Sequence, residues 1–202
     1  MASWHDYPAT AQLNPDVITL PSPCLVLLIG LSGAGKSTFA ARHFRATEVV
    51  SSDTCRALVR DDEADQRATT DAFEVVHLLT KLRLRAHRTT VIDATNLKRA
   101  DRAHLLKLAQ SAAVPAAAIV LDLPRALCHE RNQRRQGRDF GPDVLEAQEA
   151  RLRSDLRSLS EDGLEPIVIL DSVAAIDSSR VGRATSSIGD ASSGSPSESR
   201  PT

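Results

Sequence analysis

The stretch Gly30-Leu31-Ser32-Gly33-Ala34-Gly35-Lys36-Ser37 has the spacing glycine, four residues, Gly-Lys-Ser, a pattern suited to holding phosphate. Its glycines let the backbone wrap close to oxygen atoms without Cβ clashes. The N–H groups from Ser32 through Gly33, Ala34, Gly35, Lys36, Ser37 and Thr38 can then converge on a phosphate chain at a helix N-terminus. Lys36 is placed to reach β- and γ-phosphates, and the Ser37 hydroxyl to offer an oxygen to Mg²⁺. A Gly/Ser turn could match the pattern by chance, but the context opposes that. An apolar run from Cys24 to Ile29 precedes it, and a helical stretch with Phe39 and Phe44 on one side follows.

Three later stretches carry further candidate chemistry. In Ser51-Ser52-Asp53-Thr54-Cys55-Arg56, a carboxylate at the carboxyl end of a strand can take a proton from an attacking hydroxyl. Arg56, three residues on, can hold an anionic part of the acceptor. Asp53 equally suits a helix N-cap, and spacing alone leaves both readings open. Asp93, which ends Val91-Ile92-Asp93, can bind Mg²⁺ directly or through water on the substrate side. Asn96 can join it there or simply cap the next helix. Arg131 and Arg135 are four apart on one helix face, so they can close over a γ-phosphate and stabilise transition-state charge. A solvated basic helix end is the competing reading of that pair.

The elements that must position these residues are legible as apolar runs and helical periods. Strands are expected near 24–29, 48–51, 89–93, 116–122 and 166–170, with helices near 38–44, 56–59, 69–85, 96–110, 124–135 and 143–159. Strands without alternation, separated by helices, predict a parallel sheet covered on both faces. The fold class is α/β of P-loop kinase type, with about five strands and an arginine-bearing helical lid. The domain spans 23–177. Residues 1–22 are proline-rich and predict a loose arm with a short edge strand at Val17 to Leu20. Residues 178–202 are rich in Ser, Gly and Ala, with little to bury, and predict a disordered tail.

The chain has 202 residues, 42% hydrophobic and 25% charged, with a formal net charge of −1. That balance excludes a strong whole-molecule field toward nucleic acid but not a local basic site. Cys24, Cys55 and Cys128 lack ligand-like spacing, and a reduced, cytoplasmic setting suits them. No secretory signal is expected at the N-terminus, and no apolar run approaches the ~20 residues of a membrane span.

From Leu25 to Leu170 the chain resembles the kinase module of bacterial polynucleotide kinase–phosphatases. The likeness rests on the loop through Ala40, on Ser51-Ser52-Asp53 with Cys55-Arg56, and on Asp61-Asp62-Glu63 with Asp65-Gln66. It continues through Phe73 with His77, Asp93-Ala94-Thr95-Asn96, Cys128 with Glu130-Arg131-Asn132 and Arg135, Asp139-Phe140-Gly141-Pro142, and Gln148. The resemblance implies transfer of the ATP γ-phosphate to the 5′-hydroxyl end of DNA or RNA, with Mg²⁺. It implies Lys36 and Ser37 on phosphate and metal, Asp53 as general base, Arg56 on the acceptor's first phosphate, and Arg131 and Arg135 as lid arginines.

Members of that family continue into phosphatase and ligase modules. Here a Ser-rich stretch follows, so those activities are expected from separate partners. After Pro142 the family tends to be basic, whereas Asp143, Glu146 and Glu149 are acidic here. That difference keeps a small-molecule hydroxyl (of a nucleoside, sugar or antibiotic) in view as acceptor. A nucleotide-gated binding protein is a third reading; Asp53 as a base candidate favours transfer over gating.

Overall fold

The strand Leu25–Ile29 (β3) is buried at every position, as its unbroken apolar run requires, and it forms the middle of the fold. The computed structural model describes residues 7–134 and 141–184. Arg135, Asp139, Phe140 and residues 185–202 of the expected tail lie outside the described residues.

Around β3 the chain builds β1 (Gln12–Leu13), β2 (Val17–Leu20), β4 (Val49–Ser51), β5 (Thr90–Asp93), β6 (Ala116–Leu121), β7 (Ile167–Leu170) and β8 (Arg180–Arg183). The helices are α1 (Lys36–His43), α2 (Ser52–Arg60), α3 (Thr69–Arg85), α4 (Arg99–Ser111), α5 (Arg125–Gln133), α6 (Pro142–Leu156) and α7 (Val173–Ser178). Six strands form one sheet in the order β1-β7-β6-β3-β5-β4, and every pairing is parallel. The strands β3, β5, β6 and β7 are buried throughout, because helices on both faces leave no solvated side.

The sixth strand comes from the arm, where Gln12–Leu13 pairs with Val168–Ile169. The edge strand expected at Val17 to Leu20 joins a separate two-stranded sheet with β8. Its buried Ile18 and Leu20 supply that sheet's apolar face, so β8 needs no apolar run of its own. Residues 180–183 are therefore strand, where the tail had been expected to begin at 178.

Helix α4 starts at Arg99, three residues past its expected start, because Asn96 sits at φ 51 and breaks the helical path. Arg102, at 1% exposure, donates to Asp162 at 2.9 and 3.0 Å and to the Asn96 and Leu97 carbonyls at 3.1 and 3.0 Å. It thereby ties α4 to the turn leaving β5. Among the described residues no helix is long and apolar enough to cross a membrane.

Candidate active site

Parallel strands bring their carboxyl ends to one edge of the sheet, and three of the expected stretches start there. β3 runs into the glycine loop, β4 ends at Ser51 beside Asp53, and β5 ends at Asp93. A cavity of about 580 Å³ collects Lys36, Ser37, Asp53, Arg56 and Asp93 along its walls. Arg131 lies on the other side of the loop, in a cavity of about 320 Å³ shared with Gly33, Gly35 and Thr38.

The loop is pressed against α5. Gly33 has φ 84, and a Cβ there would meet the Cys128 carbonyl oxygen at 2.3 Å. Gly35, at φ 98, lies under Arg131, whose Nη1 would be 3.6 Å from a Cβ at that position. The Lys36 ammonium donates to the Gly30 and Leu31 carbonyls at 2.9 and 2.8 Å, which closes the loop on itself. Ser32 is held from two helices. The Asn132 amide donates to its carbonyl at 3.0 Å, and its own N–H donates to Gln148 Oε1 at 2.9 Å.

At the end of β4, Ser51 is the N-cap of α2, its hydroxyl accepting from the Thr54 N–H. The cap role is thus filled, and Asp53 stands inside the first turn of the helix. There its carboxylate is ion-paired with Arg56. Arg56 is 7% exposed, and its Nε donates to the Glu63 carbonyl at 2.8 Å. The guanidinium expected to hold an anion lines the cavity while paired with Asp53.

Asp93 is buried at the end of β5, and its carbonyl accepts from the Ser52 hydroxyl at 3.5 Å. Asn96 departs from expectation. It caps no helix, since Lys98 precedes α4, and it lines neither cavity. At 2% exposure its amide donates to the carbonyls of Leu28, Ile92 and Ala94 at 2.7, 3.1 and 3.4 Å. It staples the ends of β3 and β5 and so sets the spacing between the loop and Asp93.

Burial pushes the Cys24 thiol up to about 12 and Cys128 to about 11, so both stay protonated core groups rather than nucleophiles. Among the described residues no cluster of three or more His, Cys, Asp or Glu could hold a metal. Ser37, Asp53 and Asp93 nevertheless line one cavity. A hydroxyl with one or two carboxylates is a donor set that fits Mg²⁺.

Residues 25–159 match the AAA domain family, AAA_33. The chain belongs to that family. Among curated proteins it is 32% identical over 115 residues to Transcription factor bHLH140 of Arabidopsis thaliana, a match covering 57% of this chain and 12% of that protein. A chain of the Pnkp1/Rnl/Hen1 RNA repair complex superposes with a TM-score of 0.57 at 22% identity, covering 67% of this chain and 45% of the other. Kti12 of Chaetomium thermophilum, solved with ADP-AlF3, gives 0.51 at 14% identity, covering 76% and 93%. A sugar kinase from Janibacter sp. HTCC2649 gives 0.50 at 22%, covering 75% and 86%. The fold is that of the P-loop kinases.

Gln148 and Asn132 fall within the resemblance, but nothing in the sequence assigns them to Ser32, which lies 116 and 100 residues away. Their only local signal is a polar residue on an otherwise helical stretch, and many residues share it.

Proposed function

We propose that the chain is an ATP-dependent kinase that transfers the γ-phosphate to the 5′-hydroxyl end of DNA or RNA. The observation that carries this reading is one cavity wall bearing Lys36 and Ser37 of the loop together with Asp53. Asp53 takes the proton as the acceptor oxygen attacks the γ-phosphorus. The bond from that phosphorus to the β–γ bridging oxygen breaks, and ADP leaves. Arg56 orients the base. Lys36 and the loop N–H groups hold the donor phosphates, and Arg131, beside Gly35 on the other side of the loop, is proposed to close over them as a lid arginine. Arg135 is proposed as its lid partner. We assign the purine of ATP to the cavity whose wall includes Thr38, Arg131, Val173 and Ile176.

Ser37 and Asp93 would hold Mg²⁺, which when bound neutralises donor phosphate charge. The likeness to a chain of the Pnkp1/Rnl/Hen1 RNA repair complex supports a polynucleotide acceptor and separate end-processing partners.

A second reading keeps the chemistry and changes the acceptor to a small alcohol. The cavity's volume of about 580 Å³ falls in the range of small-ligand sites, and Asp101 and Asp143 on its wall suit hydroxyl donors. The likeness to a sugar kinase points the same way. The deciding experiment offers γ-labelled ATP with 5′-hydroxyl oligonucleotides and, separately, a panel of sugars and nucleosides. Label is expected at the oligonucleotide 5′ end, lost in Lys36→Ala and Asp53→Ala. Label only on small alcohols would overturn the polynucleotide reading.

A further inference from the structure

Beside α1 three cavities, each sharing a wall residue with the next, lead from the candidate site toward the opposite edge of the sheet. Ser37, Asp53 and Asp93 line both the site and a second cavity of about 800 Å³, which carries Glu63 as a further acid and continues past Ala41 and Val49 to Phe44. Phe44 also borders a third cavity, of about 760 Å³, at the amino edge of the sheet. Among the described residues, five arginines line that last space, Arg42, Arg45, Arg83, Arg88 and Arg183, against one acid, Glu48. So positive a surface is notable on a chain of net charge −1.

Part of this charge has a structural use. Arg42 pairs with Asp177 and Arg183 with Glu48, while Arg83 donates to the Thr89 carbonyl at 2.8 Å. Arg42 also complements the C-terminal dipole of α1, and Arg83 that of α3. Arg45 and Arg88 stand outside this account. Both are exposed and lie beyond the ends of the two helices, and neither has an ion pair among the described residues.

We propose that these cavities form one groove that carries the nucleic-acid strand 3′ of the reacting end, with Arg45 and Arg88 contacting its backbone phosphates. The proposal rests on the polynucleotide reading above. The eight residues of α1 separate the two ends of the groove by about 12 Å. A 5′-hydroxyl dinucleotide, whose one phosphate lies next to its first sugar, stops short of the arginines; a longer strand reaches them. The contacts are to phosphate alone, so they raise affinity for length without reading sequence.

The test compares wild type with Arg45→Ala/Arg88→Ala, two exposed changes remote from Asp53, in phosphorylation of a dinucleotide and of a long 5′-hydroxyl oligonucleotide. Binding of the same labelled long oligonucleotide is followed by fluorescence anisotropy across a salt series. The KM for the long acceptor is expected to rise about tenfold, and the log–log salt slope to fall by about 1.4, with dinucleotide turnover unchanged. An unchanged KM, or an equal loss on the dinucleotide, would overturn the groove. So would a poly-aspartate peptide that binds as well as the oligonucleotide. A wild type that phosphorylates no oligonucleotide overturns the proposed function instead. Anisotropy then still decides the groove, since binding lost only in the double variant supports it and equal or absent binding refutes it.

Discussion

The Ser32 N–H donates to Gln148 Oε1 at 2.9 Å, and the Gln148 amide in turn donates to the Ser32 hydroxyl at 3.3 Å. A side chain of α6 thus occupies a loop donor that the proposed reaction needs for phosphate. A phosphate oxygen arriving at Ser32 must displace it, so α6 and donor occupancy are coupled through one hydrogen bond.

Gln148→Ala is expected to lower stability without ligand by about 1 kcal/mol, because a half-buried donor loses its partner. In a chain of this size that is a melting shift of about 2–4 °C. Added ATP restores a partner to the N–H, so the ATP-induced gain in melting temperature should be larger in the variant than in wild type. Equal gains would show that Ser32 does not meet the donor.

The Asp53–Arg56 pair separates two roles for the arginine. Asp53→Asn should lower kcat by about 10²–10⁴-fold and leave ATP binding intact. If Arg56 acts by orienting Asp53, as its contacts to Asp53 and the Glu63 carbonyl imply, Arg56→Ala added to Asp53→Asn costs little further kcat. A guanidinium that itself binds the acceptor would add a rise in acceptor KM to the double variant. The double-mutant cycle distinguishes the two outcomes.

Much of this site is legible from local spacing. The glycine loop announces itself, the five apolar runs become the strands expected of them, and α3 occupies Thr69–Arg85 as its period predicts. Three things are hidden for physical reasons. Ser51, Ser52 and Asp53 are all capping residue types in a row, so only the observed hydrogen bond picks out Ser51. β8 is made a strand by its partner's apolar face rather than its own. The contacts of Gln148 and Arg102 join residues far apart in the chain, and no periodicity reports them.

Asn96 supplies a clear contrast between support and contact. Its amide holds three carbonyls at the ends of β3 and β5, so Asn96→Ala strands buried acceptors at a cost of about 1–3 kcal/mol. The residue also adopts φ 51, a conformation asparagine tolerates better than alanine. Asn96→Ala should therefore melt earlier, and the protein that remains folded should keep its acceptor KM. A raised acceptor KM at unchanged stability would return Asn96 to the substrate side.

His77 is expected to make the fold sensitive to acid. It stacks on His104 with ring centroids 4.0 Å apart, and its Nε2 is buried with no hydrogen-bond partner among the described residues. Burial first, and then the His104 charge, hold its pKa below the ordinary 6.5, with Asp101 opposing. The neutral ring is thus the form the fold favours, and the unfolded chain takes up the proton first as pH falls. Its contribution is complete above about pH 6.5 and drains as pH falls through the lowered value. His43, lowered by burial and by Arg42, acts in the same direction. Melting temperature should therefore fall from about pH 7 to about pH 5. His77→Phe keeps a ring against His104 and removes the proton site, so it should flatten the fall. An unaltered profile in that variant would place the acid sensitivity elsewhere, with His43 the next histidine to replace.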